Sequence, residues 1–241
     1  PLDAGRWRSH ANGDRVAQVL VDGEDIWVAS LGGGVLRWST ATRDYRQFLA
    51  PQDGLPSNQV NALLRDLDGT VWAATERGLA WLPAGQDRWR ALTPHQAPAM
   101  PSENVTALVA DGQEAIWVGF SQAWDPQRPN PRTGEPGAFS LGGLARFQIE
   151  TQTWSDVTHV TKDGGPAREG FTTLPSENVT ALSTSTDGSL WVGTRPYHVW
   201  QDRDCGGEIC PGDQGSWIET GGGLAARKGA EVATAANTAV L

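Results

Sequence analysis

No apolar run in this 241-residue chain reaches the roughly 18 to 20 residues that a membrane-spanning helix requires. No basic-then-apolar leader stands at its start either, and Pro1 in place of a methionine reads as a natural beginning that is missing or processed. Membrane insertion by this segment is therefore not expected. Cationic clusters are absent too: with a formal net charge of -9 spread through turns, no surface is expected to hold nucleic acid, which requires grouped Lys and Arg. Missing as well are a nucleophile motif, a phosphate loop, a helical metal-binding pair and any obvious acid/base pair of carboxylates. The reading is thus of a protein that is not an enzyme and needs no cofactor or metal. Methionine occurs once and cysteine twice, so the core must be built from other side chains.

What the chain does have is tryptophan, 12 of them, with 29 glycines and 15 prolines. That composition belongs to a turn-rich β protein with large flat core residues. The tryptophans recur in a fixed setting: "IWVAS" at Ile26, "VWAAT" at Val71, "IWVGF" at Ile116 and "LWVGT" at Leu190. Trp27, Trp72 and Trp117 are 45 residues apart, and Trp191 follows after 74.

Each unit reads in one order: an apolar segment, an Asp/Gly turn, the tryptophan segment, a glycine, a second apolar segment and an aromatic one. In the second copy these are "VNALL" from Val60, "DLDGT" from Asp66, "VWAAT", Gly78, "LAWL" from Leu79 and "RWRAL" from Arg88. Segments of four to six residues rich in Val, Trp and Leu, punctuated by Gly, Asp and Pro, are strands. Four strands in about 45 residues is the blade of a β-propeller. With the strands named a to d from the centre outward, strand a is expected to be covered on both faces by neighbouring blades. The strand-b tryptophans Trp27, Trp72, Trp117 and Trp191 are expected to lie between blades as structural repeat residues.

A six-residue phrase links the units: "LPSNQV" at Leu55, "MPSENV" at Met100 and "LPSENV" at Leu174. Proline fixes φ, and Ser and Asn side chains bond local backbone in a turn that lacks a ladder. Each copy is read as the passage from strand d of one blade to strand a of the next. Asn104 and Asn178 also match glycosylation acceptors, but the turn accounts for both.

These residues resemble the two-component regulator propeller repeat, which runs Leu-Pro-x-x-x-Val, then Asp-x-Asp-Gly-x-x-Trp-x-Gly-Thr, then Gly-Leu. "LPSNQVNALLRDLDGTVWAATERGLAWL" from Leu55 to Leu82 follows it with Ala74 in place of a glycine, and "LPSENVTALSTSTDGSLWVGT" from Leu174 is nearly as close. The resemblance implies an all-β, four-stranded-blade propeller of the kind found outside the cytoplasmic membrane, in the periplasm or beyond, in bacterial hybrid sensor kinases. Its partners would be the remaining blades and downstream transmembrane and kinase regions of the same protein. Similar repeats in secreted proteins keep other roles open: an enzyme acting on polysaccharide as lyase or hydrolase, or a scaffold for protein partners.

The expected organisation is strand d of a preceding blade in 1–15, then blades at 16–54, 55–99, 100–173 and 174–241. Trp7 and Arg8 align with Trp89 and Arg90, which is why the first residues read as an orphan strand d. A closed four-bladed ring and a segment of a larger propeller are both open, and the segment is the preferred reading.

Blades three and four carry long insertions between strands b and c, from Ser121 and from Arg195, on the same face as the "LPSENV" connections. Loops on a rigid scaffold are where binding concentrates. Trp124, Arg128 and Arg132 in the first, with Arg195, Tyr197, His198 and Trp200 in the second, supply stacking surfaces and cationic donors suited to a saccharide or an anionic small molecule. The competing reading is that the aromatics only pin the loops down. Cys205 and Cys210 in "CGGEIC" are candidates for a disulfide in an exported protein. A metal held with Asp202, Asp204, Glu208 or His198 is the weaker alternative. His10, His95 and His159 fall in d-to-a connections and read as solvated. "DLDG" at Asp66 lacks the distal glutamate of a calcium loop and reads as a hairpin turn.

Overall fold

The computed structural model describes residues 15–130, 133–158, 174–202, 215–228 and 231–236, and every regular element among them is a β-strand. Four antiparallel four-stranded sheets follow one another along the chain. The first is β1 (Arg15–Asp22), β2 (Asp25–Leu31), β3 (Gly34–Ser39) and β4 (Tyr45–Phe48), and the second is β5 (Val60–Arg65), β6 (Val71–Thr75), β7 (Gly78–Leu82) and β8 (Arg90–Leu92).

The third sheet starts with β9 (Val105–Asp111) and β10 (Ala115–Phe120), is interrupted by a separate hairpin of β11 (Trp124–Pro129) and β12 (Pro136–Phe139), and ends with β13 (Gly143–Gln148) and β14 (Thr153–Thr158). The fourth repeats the plan: β15 (Asn178–Thr184), β16 (Leu190–Arg195), a hairpin of β17 (Tyr197–Asp202) and β18 (Gly215–Thr220), then β19 (Gly223–Lys228) and β20 (Glu231–Ala236). The two insertions, read from sequence as loops, are therefore partly ordered as two-stranded sheets.

Local chemistry explains the repetition. In the a-to-b turn of the second blade, Gly69 takes φ +88° and donates to the Asp66 carbonyl, while the Thr70 N–H donates to the carboxylates of Asp66 at 3.0 Å and Asp68 at 2.8 Å. The fourth blade repeats this with Gly188 at φ +80° and Ser189 donating to Asp187. Such turns favour Asp before Gly, because the carboxylate caps the backbone and only glycine enters positive φ freely. Gly78, at φ +141°, opens strand c where a Cβ would come within 2.5 Å of the Leu92 carbonyl oxygen on strand d.

The recurring Pro-Ser turn is also resolved in chemical terms. Ser57, Ser102 and Ser176 each accept a hydrogen bond from the backbone N–H two residues on, at 3.0, 3.2 and 3.0 Å. Ser102 and Ser176 in turn donate to the carbonyls of Ser121 and Arg195, where strand b ends. The turn thus anchors the exit of its own blade's strand b and fixes where each b-to-c insertion begins.

Three hydrophobic clusters lie between successive sheets. Trp27 packs with Leu55, Val60, Leu63 and Val71; Trp72 with Met100, Val105, Ile116 and Val118; Trp117 with Leu174, Val179, Leu190 and Val192. Each of these three strand-b tryptophans therefore faces the blade that follows it. Trp72, only 2 % exposed, stacks on Trp81 at 5.6 Å, meets Phe147 edge-on at 5.9 Å, and donates its Nε1–H to Asp66 at 2.7 Å.

Two expectations are corrected. Trp191 is 42 % exposed, because among the described residues no sheet follows the fourth to cover it. Strand a of the first blade is likewise uncovered on its leading face, with Val16, Val19 and Val21 exposed, because no described sheet precedes it. The segment 1–14, including Trp7, Arg8 and His10, lies outside the described residues, so the orphan strand d does too.

Candidate functional site

The two hairpins stand beside one another on the face bearing the Pro-Ser turns. The Gln122 carboxamide holds them together: Nε2 donates to the His198 carbonyl at 3.0 Å and Oε1 accepts from the His198 N–H at 2.7 Å. A side chain here completes both bonds that a paired strand residue would make, across 76 residues of sequence. Asn178 fixes Gln122 from below, its Oδ1 accepting from the Gln122 N–H at 2.8 Å while its Nδ2 donates to the Pro196 carbonyl at 2.6 Å. The neighbouring Glu177, 5 % exposed, accepts from the Gly142 N–H at 3.0 Å. The SEN triplet of the fourth blade's turn thereby ties the roots of both insertions together.

On this frame sits a cluster of four rings. Trp124 and Phe139, cross-strand partners on β11 and β12, meet edge-on at 5.1 Å. His198 of β17 stacks on Phe139 at 4.1 Å with the planes 7° apart. Trp217 of β18 completes the set, edge-on to Phe139 at 5.2 Å and to Trp124 at 6.3 Å. Edge-to-face and offset contacts are the favoured aromatic geometries, worth about 0.5–1.5 kcal/mol each beyond burial. Gly137, at φ +106°, lets the Trp124 indole lie across β12, since a Cβ there would come within 2.8 Å of the ring. The hairpin rings are braced, yet Trp124 remains 51 % exposed. A rigid, half-open indole face is a stacking surface whose ordering cost has been met by folding.

One His–carboxylate pair borders the platform, and further polar groups lie on the same strands and at their roots. The His198 Nε2 lies 3.8 Å from Glu219 Oε1, its cross-strand neighbour. Burial, and then the charge of Glu177, raise the phenol pKa of Tyr197 above its ordinary value, so it is a neutral donor at physiological pH. Arg128 is partly buried on β11, and Arg195 is exposed at the end of β16 with its carbonyl held by Ser176.

Of the residues singled out from sequence, Trp124 and His198 come together through Phe139, and Tyr197 lies at the base against Gly221. Trp200 is in register with Trp217 on the second hairpin. Arg132, Cys205, Cys210, Asp204, Glu208 and His159 lie outside the described residues; His95 is exposed in its connection. No group of three or more His, Cys, Asp or Glu is placed to hold a metal among the described residues. Sequence reading missed Gln122, Phe139, Trp217, Glu177 and Asn178 as parts of one assembly. The signal available for Glu177 and Asn178 was their place in the recurrent turn just before the second insertion's blade; none marked Gln122.

Sheets that stack face to face in chain order, each offering a strand-b tryptophan to the next, define β-propeller blades. Two stretches of the chain, residues 54–77 and 173–195, match the sequence profile described as two component regulator propeller. No curated protein matches the chain in sequence. Among solved structures, the extracellular domain of a putative hybrid two component system from B. thetaiotaomicron is 18% identical with a TM-score of 0.42, over 77% of this chain and 28% of its own. A second such domain from the same organism is 14% identical with a TM-score of 0.43, over 99% of this chain and 43% of its own. An ancestral GH74 enzyme is 16% identical with a TM-score of 0.49, over 75% of this chain and 22% of its own. The chain thus spans under half the length of each of these structures. No helix among the described residues is long and apolar enough to cross a membrane.

Proposed function

We propose that this chain is a non-catalytic, extracytoplasmic ligand-sensing propeller module of a two-component-type signalling protein, and that its ligand is a saccharide received on the Trp124 platform. The observation that carries the reading is the half-open Trp124 indole, braced by Phe139 and Trp217 while Gln122 clamps the two hairpins together. A sugar ring presents an apolar face of C–H bonds that an indole can cover, and hydroxyls that charged and amide groups at the rim can bond. Arg128 and Arg195 are the assigned cationic donors, with forked geometry that also suits acidic sugars. Because the site spans two blades, occupancy would alter how firmly those blades are held to each other, and that change is what further parts of the same protein would read. The propeller repeats at 54–77 and 173–195 support the signalling context.

The test is a glycan array followed by calorimetry on the best binder, with Trp124→Ala and, as a remote control, His95→Ala. The expected result is at least a tenfold loss of affinity, about 1.4 kcal/mol, in the first variant and none in the second. Equal binding by Trp124→Ala and the parent, or no glycan bound at all, would reject the proposal.

A further inference from the structure

Among the described residues only the arginines Arg128, Arg146 and Arg227 are partly buried, and the others are exposed. Two of the three have evident counterparts. Arg146 donates from Nε to Asp111 at 2.5 Å and from Nη1 to Gln148 at 2.8 Å, and Arg227 lies over the Trp117 ring at 5.1 Å. The Arg128 guanidinium has no hydrogen bond, carboxylate or ring as its partner among the described residues. Withdrawing a cation from water without a counterpart costs more than doing so to a neutral group. A group left so in a native fold calls for a reason.

The place of Arg128 in the fold supplies one. Pro129 of β11 pairs with Pro136 of β12, so Arg128 and Gly137, which flank that antiparallel pair on one side, come opposite each other. Gly137 is also the residue across which the Trp124 indole lies, 2.8 Å from where a Cβ would stand. The unpaired cation and the half-open ring therefore border on one backbone position. The carboxylates of the neighbourhood are already engaged. Asp125 Oδ1 accepts from the Gln127 N–H at 2.9 Å, Glu177 Oε2 from the Gly142 N–H at 3.0 Å, and Glu219 stands 3.8 Å from the His198 imidazole. Arg195, exposed at the end of β16, likewise has no acidic partner among the described residues.

We infer that the platform selects anionic saccharides and that Arg128 is its specificity-determining residue, the guanidinium forking onto a carboxylate or sulfate of the sugar that Trp124 covers. The inference rests on the saccharide reading of that platform. A guanidinium presents planar N–H donors that match the paired oxygens of such an anion, and it gives up water more readily than an ammonium. Because the net charge of -9 repels anions at long range, the selection must come from direct contact and not from steering.

The test is calorimetry on the full chain with three sets of probes. They are oligosaccharides of galacturonate, glucuronate and mannuronate, the same oligosaccharides with their carboxyl groups reduced to alcohols, and sulfated galactose oligosaccharides with their desulfated forms. The proteins are the parent, Trp124→Ala, Arg128→Gln and Arg128→Lys, and circular dichroism melts confirm that each variant folds. The expected result is an anionic probe that binds the parent about tenfold or more tighter than its neutral form, a preference that Arg128→Gln abolishes while neutral binding stays within about twofold. Arg128→Lys, which keeps the charge without the fork, should retain part of the preference. Whether the uronates or the sulfated sugars bind identifies the acid. Neutral forms that bind as tightly as the anionic ones, and lose binding in Trp124→Ala, would overturn the inference and leave the saccharide reading standing. An Arg128→Gln loss equal for charged and neutral probes would overturn it as well, since a side-chain stem that merely covers the strand behaves that way. No binding by any probe, charged or neutral, removes both.

Discussion

Trp72 and Trp191 occupy the same place in the repeat but different physical environments, and replacing each with alanine separates packing from sequence pattern. Trp72 is 2 % exposed between the second and third blades, with Trp81 stacked on it, Phe147 against its edge and Asp66 accepting from its Nε1. Removing a buried tryptophan costs about 3–5 kcal/mol through lost transfer energy and the cavity left behind. The Asp66 carboxyl, 8 % exposed, would also lose its indole donor, a bond to a charged acceptor worth about 1.5–3 kcal/mol. The two contributions overlap, so about 4–6 kcal/mol is expected. At about 2–4 °C per kcal/mol for a chain of this size, the melting temperature should fall by roughly 10–20 °C. Trp191→Ala should cost under about 1 kcal/mol, as exposed substitutions away from packed interfaces do. Urea titration followed by far-ultraviolet dichroism measures both. Equal losses for the two variants, or a Trp72→Ala loss below about 1 kcal/mol, would refute the reasoning that blade stacking is why the tryptophan recurs.

Three further outcomes follow from the structure. Gly78→Ala should destabilise by more than about 1 kcal/mol in the same titration, because φ +141° and the Leu92 carbonyl at 2.5 Å both oppose a Cβ. Burial, and a hydrogen bond to Asp68, raise the pKa of Asp66, while that bond and the Thr70 N–H lower the pKa of Asp68. Asp66 therefore contributes stability that is present below about pH 4 and lost as pH rises through its raised folded value, whereas Asp68 contributes stability present above about pH 4 and lost as pH falls through its lowered one. Asp66→Asn keeps an acceptor for Trp72 and removes the buried charge, so its stability relative to the parent should be better at pH 7 than at pH 3; urea titrations at the two pH values check the sign. Gln122→Ala deletes both bonds to His198, and with each such bond worth about 0.5–1.5 kcal/mol, faster amide exchange is expected at residues 197–202 with the third blade's strands unchanged.

Much of the scaffold was legible because it is local and repeated. Ser57, Ser102 and Ser176 bond the backbone two residues away, and Gly69 and Gly188 turn hairpins with their own Asp neighbours, so the chemistry is visible within six residues of sequence. The candidate site was legible only in part. Trp124 and His198 were marked as members of two insertions on one face, but their meeting depends on Gln122, 76 residues from its partner in a segment with no distinguishing pattern. The β11–β12 hairpin was hidden because Pro126, Pro129 and Pro136 fall within its strands, and proline ordinarily argues against a strand. β11 tolerates them because its hairpin is a separate two-stranded sheet, with edges that need no ladder donor. Trp191 was misread because its pattern matches the other three, while its burial depends on a neighbouring sheet that no local signal reports.

Hydrogen–deuterium exchange with and without the best-binding oligosaccharide tests the function most directly. If the two hairpins form one receiving surface, protection should appear together in residues 122–139 and 197–202, and should vanish from both in Trp124→Ala. Protection confined to one hairpin, or centred on the opposite face at the Asp66 and Asp187 turns, would contradict it.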